Sequence, residues 1–316
     1  MVLPYDQSVR PQLIKVIDDI APNSIAINIS KDDVLADGLT YGMHQILVEE
    51  LLSGTPYADR LVSAEKIISA LRGRKTPIEI VRIKSAILVT KQIYQNVFSV
   101  VRPGLTERVV AAFMHEEMKN AGVIHAWTPS GYPAVNTGPD SPMGHSEPND
   151  LAIEHGHIVH FDFGVCEDDY CSDIQRVVYM LREGEKKAPD PVRREFDVVR
   201  ESIEAAFNVL RPGVTGKEVD DAARAVIVSR GFPEFMRATG HQLGRLAHDG
   251  GGILSPLWER HGDLPLRPIE PGQVYTIEPH IVLAGYGCIG LKEDVLVTDS
   301  GAEYLGEPQK SVYLID

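Results

Sequence analysis

Between Pro77 and Ser99, Ile80, Ile83, Ile87, Tyr94 and Val97 recur at three- and four-residue steps, with Thr90 as the polar member of the stripe. That period predicts a long helix with one buried face. Arg102-Pro103-Gly104 stops it, and Thr106 is placed to cap a second helix over residues 107–121 that ends at Gly122. The same grammar returns about a hundred residues later. A helical segment from Pro191 to Asn208 runs into Arg211-Pro212-Gly213, then Thr215 and a helix ending at Gly231.

Strand-like stretches follow each helix pair and also repeat. "IEHGHIVHFD" (153–162) aligns without a gap on "IEPGQVYTIE" (269–278), so a glycine turn leads into a strand and an acid stands six residues after the glycine in both. Asp162 and Glu278 are equivalent positions of two halves. A second acid follows each of them in strand-like context, Asp173 in "YCSDIQRVVYM" and Glu293 in "CIGLKEDVLVT". Four matches in the same order predict an internal duplication, two α/β halves packed about a pseudo-two-fold axis.

Residues 1–73 read as a separate small domain and residues 74–316 as the duplicated one, with "LRGRKTPIE" as the linker. In the small domain, "SIAINISKDDVLADGLTYGMHQILVEELL" reads as a strand, a loop and a helix.

Composition narrows the function. With 316 residues, 43% hydrophobic and 24% charged, the chain is an ordinary globular protein. A net charge of −14 and no Lys/Arg cluster argue against nucleic acid as a partner. No run of apolar residues reaches transmembrane length and no signal sequence opens the chain, so a cytoplasmic location is expected. Cys166, Cys171 and Cys288 make no disulfide framework, and reduced thiols are expected.

Four acids converging on one axis would raise one another's pKa values and require counter-charge. No run of Arg or Lys offers it, which points to metal. In "ATGHQLGRLAHDGGG", His241 completes a candidate set with Asp162, Asp173, Glu278 and Glu293, and His248 lies seven residues on. One imidazole with four carboxylates suits two fairly hard divalent ions, and the lack of thiolates argues against structural zinc.

"DFGVCEDDYCSDIQR", "HQLGRLAHD", "TIEP", "LKEDVLVT" and "VNTGPDSPMGHSEPND" together resemble the pita-bread metallopeptidases, in particular the Xaa-Pro aminopeptidase and prolidase branch. The resemblance covers residues 76–316. It implies an α/β (α+β) pita-bread fold. It also implies two divalent ions, with manganese foremost and cobalt, zinc or iron as alternatives, bridged by Asp173 and Glu293. Asp162 would complete one ion, and His241 and Glu278 the other. Glu278 would shuttle the proton while His145 and His248 contact the substrate. The implied partner is a short peptide with proline second, and the implied assembly a homodimer.

Residues 1–73 resemble the last part of the branch's companion domain and are shorter than usual, so a truncated or reduced domain is expected. Two positions depart from the pattern. Leu291 stands where relatives carry arginine, with Lys292 expected on the opposite strand face, and Gln175 replaces a threonine while Arg176 is kept. The alternatives are a non-peptidase hydrolase or lyase acting on a small molecule on the same fold, and a catalytically silent binding module.

Overall fold

The computed structural model describes residues 2–128, 131–142 and 146–316. The chain divides into two units, residues 1–71 and 72–316.

In the first unit, α1 (Arg10–Ile20) precedes β1 (Ile25–Ile27), then α2 (Tyr41–Gln45), which runs on as a π-helical turn over Ile46–Leu51. β2 (Leu61–Ser63) pairs with β1 in parallel and leads into α3 (Glu65–Gly73). Thr40 caps α2 by accepting from the Met43 amide. The strand, loop and helix read from the sequence are present.

The second unit opens with α4 (Pro77–Val100) and α5 (Glu107–Ala121). The predicted stripe of α4 faces inward: Ile83, Ile87, Thr90, Tyr94 and Val97 are buried. Thr90 has a partner there, since its hydroxyl lies 2.7 Å from that of Ser172. Then come β3 (Ile124–His125), β4 (Ala134–Thr137), β5 (Ile158–Phe163), β6 (Val165–Glu167), β7 (Tyr170–Cys171) and β8 (Ile174–Met180).

The second half repeats the helix pair with α6 (Asp190–Val209) and α7 (Gly216–Ser229). Its strands are β9 (Gly240–His241), β10 (Ile253–Leu254), β11 (Val274–Ile277), β12 (His280–Leu283), β13 (Gly287–Gly290), β14 (Glu293–Val297), β15 (Ala302–Tyr304) and β16 (Tyr313–Ile315).

Both predicted threonine caps form: Thr106 accepts from the Val109 amide and Thr215 from that of Glu218. The glycine turns before β5 and β11 match in detail, with φ of +87° at Gly156 and +84° at Gly272. A side chain is disfavoured at both.

In the first half the sheet order is β16-β8-β5-β4, and in the second β11-β14-β15. A bridge between Gln175 and Lys292 joins the two sheets, with backbone hydrogen bonds of 3.3 and 3.4 Å. Two apolar cores flank this seam. One packs α4 and α5 against β5 and β8, including Phe161 and Phe163. The other packs α6 and α7 against the second sheet and Tyr179. All three cysteines are free thiols. Among the described residues, no helix is long and apolar enough to cross a membrane.

Candidate active site

The functional groups gather where the two halves meet. In the antiparallel register of β5 and β8, Asp162 stands opposite Gln175. The Gln175 amide donates to Asp162 Oδ2 at 3.1 Å and lies 3.4 Å from Glu278 Oε2. Its carbonyl oxygen is 3.2 Å from His160 Nε2. Asp173 lies just before β8 and is fully buried.

From the second half, β9 passes so close to β11 that a Cβ on Gly240 would sit 1.9 Å from the Thr276 carbonyl oxygen. That closeness seats His241. Its Nδ1 lies 3.2 Å from the Gln242 carbonyl, which turns Nε2 toward Asp173 Oδ2 and Glu278 Oε1, each 3.4 Å away. His248 stacks on the His241 ring at 3.8 Å between centroids. Asp162, Asp173, His241 and Glu278 thus converge, with His248 beside them. His145 lies outside the described residues.

Glu293 does not join them. The Gln175–Lys292 bridge puts those two side chains on the same side, and Arg176 and Glu293, each one residue further on, on the reverse side. There the guanidinium holds Glu293 with two hydrogen bonds, both 3.0 Å. A third contact comes from the Gln309 amide at 3.1 Å.

The inward position belongs to Lys292. Its ammonium lies 3.1 Å from Asp162 Oδ1, 2.9 Å from Asp173 Oδ1 and 3.1 Å from Glu278 Oε2, and the side chain is wholly buried. The Trp127 ring closes over it at 4.8 Å. Two sequence expectations are corrected here. Lys292 does stand on the strand face opposite Leu291, but that face, not the one carrying Glu293, is turned to the acids. The counter-charge comes from two single basic residues, Lys292 and Arg176, rather than from a basic run.

The charges fit this arrangement. Burial would depress the Lys292 ammonium, but Asp162, Asp173 and Glu278 outweigh it and hold its pKa well above the usual lysine value. Burial works against ionising Asp173, yet Lys292 and His241 hold its carboxyl down at about 2. Burial raises Glu278 despite the pull of Lys292 and His241. His280, half-buried, is pushed down to about 3 by desolvation and by the Arg237 guanidinium.

Two metal ions do not fit the residues present. Asp162, Asp173 and Glu278 already share one ammonium, and Glu293 is engaged by Arg176. A divalent ion some 3.5 Å from that ammonium would be repelled by roughly 10 kcal/mol at an effective dielectric of about 20. The expected five-ligand set is therefore not assembled as a set.

A cavity of about 500 Å³ opens onto this cluster. Its walls include His160, His241, His248, His280 and Glu278, and also the exposed Arg237 and Arg260. Sequence reasoning missed Lys292, His160, His280 and Arg237 as site residues. One signal was available for Lys292: Leu291, Val295 and Val297 are apolar, so strand alternation puts Glu293 on an apolar face and Lys292 on the other.

Comparison with known proteins agrees with this architecture. Residues 81–299 match metallopeptidase family M24. An uncharacterised peptidase of Staphylococcus saprophyticus is 32% identical over 243 residues, 76% of this chain and 65% of the relative. The chain thus matches just under two thirds of that relative's length. A Xaa-Pro dipeptidase of Lactobacillus helveticus is 29% identical over 281 residues, 88% of this chain and 71% of the relative. Among solved structures, an X-Pro aminopeptidase from Thermotoga maritima superposes with a TM-score of 0.74 at 27% identity, covering 99% of this chain and 81% of that one. The fold is the pita-bread fold, and with the family's pattern running through both halves of the repeat, the chain belongs to metallopeptidase family M24.

Proposed function

We propose that the chain hydrolyses a C–N bond in a small, carboxylate-bearing molecule, with an Xaa-Pro dipeptide as the first candidate. The observation that carries this reading is the cavity, which brings Glu278, His241 and His248 together with the guanidinium groups of Arg237 and Arg260. Its volume suits a ligand of dipeptide size. Arginine forks bind a substrate carboxylate, and Arg237 forms no ion pair among the described residues. Glu278 takes a proton from the attacking water and returns it to the leaving nitrogen; burial has moved its carboxyl toward the range where it can do both. His248, at the cavity wall, stabilises the oxygen that gains charge. Proline at the second position is supported by the name of the Lactobacillus helveticus relative. The resemblance assigns substrate contact to His145 as well.

The test follows release of the N-terminal residue from Ala-Pro, Ala-Pro-Ala and Met-Ala-Ser, in EDTA and with Mn²⁺, Co²⁺ or Zn²⁺. Cleavage before proline, with Met-Ala-Ser intact, is the expected result. Lys292 favours a second reading, a hydrolase or lyase acting on a small molecule other than a peptide. That reading replaces the first if no peptide is cut under any condition while an N-acyl or amidino amino acid is consumed.

A further inference from the structure

We infer that Lys292 is the built-in cation of this centre, standing where a metal ion would otherwise neutralise Asp162, Asp173 and Glu278, and that the chain does not assemble a two-metal pair. The ammonium has three N–H groups, and three carboxylates lie within 3.1 Å of it. Its hydrogen bonds go to Asp162 and Asp173, and Glu278 is its third carboxylate neighbour, so its role is charge compensation. Its way out is closed by the Trp127 ring and by backbone pairing to Gln175 on the neighbouring strand. The reverse side of the strand completes the argument, because Arg176 draws Glu293 out of the set with a bidentate pair. One group of donors stays open. Among the described residues Asp173 Oδ2 and His241 Nε2 have no hydrogen-bond partner, and Glu278 Oε1 lies 3.4 Å from that nitrogen. These atoms offer room for one ion at most.

Metal counting tests this directly and is indifferent to which substrate is cleaved. The purified chain is loaded with excess Mn²⁺, Co²⁺ or Zn²⁺ in turn, desalted, and assayed by elemental mass spectrometry. The native sequence is expected to retain no more than one ion per chain, and EDTA to leave its melting temperature unchanged or to lower it only by the contribution of that one ion. Lys292→Glu places an acid at the inward position and is expected to retain at least one ion more than the native chain. Two ions per native chain would overturn the inference, as would a folded Lys292→Glu variant that retains no more than the native chain. If that variant fails to fold, the count on the native chain decides alone.

Discussion

Arg176 and Glu293 come from different halves of the repeat and meet in a two-point grip, both hydrogen bonds 3.0 Å, with almost no solvent access. Removing one member leaves the other charge buried without its counter-charge. Glu293→Ala should therefore cost about 3–5 kcal/mol of stability. Urea unfolding measures that cost, and metal uptake by the folded fraction should stay at the native level. Loss of bound metal with stability intact would instead make Glu293 a ligand.

Glu278 is the residue on which proton movement depends. Glu278→Gln keeps the shape of the side chain but cannot exchange a proton, and kcat should fall by roughly 10²–10⁴-fold. Arg237→Met should act differently, raising KM for carboxylate-bearing substrates and leaving their amides unaffected. Steady-state kinetics on a substrate and its C-terminal amide separate the two roles.

The loop that carries Arg237 is held from behind. Arg224 donates twice to Asp220, at 2.9 and 2.8 Å, and also to the carbonyls of Phe235 and Arg237. Thr239 donates to the same Asp220 at 2.6 Å. Lysine has no planar fork to make these contacts together. Arg224→Lys should raise KM more than it lowers kcat, with a lower unfolding midpoint. An unchanged KM would show that the loop does not depend on this anchor.

His115 and His125 touch edge to face, with ring centroids 4.8 Å apart, and burial lowers the pKa of both. Their protons bind more readily in the unfolded chain, so stability is full above the ordinary histidine value of about 6.5 and declines as pH falls toward the folded-state values. Urea midpoints at pH 7.5 and 5.5 should differ less in the His115→Gln, His125→Gln double variant than in the native chain. An identical pH difference would exclude the pair as a source of acid sensitivity.

Much of the fold was legible because it is written in local chemistry. Threonine caps, Arg-Pro-Gly stops and apolar stripes depend on near neighbours, and their recurrence exposed the duplication. Four of the five expected ligand positions, Asp162, Asp173, His241 and Glu278, do converge. The direction of Glu293 and Lys292 was harder, because one step along a strand reverses the face and the motif "LKEDVLVT" offers charged residues at three consecutive positions. Alternation with Leu291, Val295 and Val297 would have decided it. Arg237 and His280 depend on loop placement, for which no spacing rule exists.

The seam between the halves divides its charges unequally. Near the cluster, the first half contributes the acids Asp162 and Asp173, while the second brings Lys292 with Glu278. On the reverse side the order is exchanged, with Arg176 from the first half and Glu293 from the second. Each half on its own would therefore hold buried charges whose partners reside in the other. A state with one half folded and the other open is penalised on both sides of the sheet. The two copies of the repeat are bound to fold and unfold as one cooperative body, although each carries its own helices, caps and apolar core.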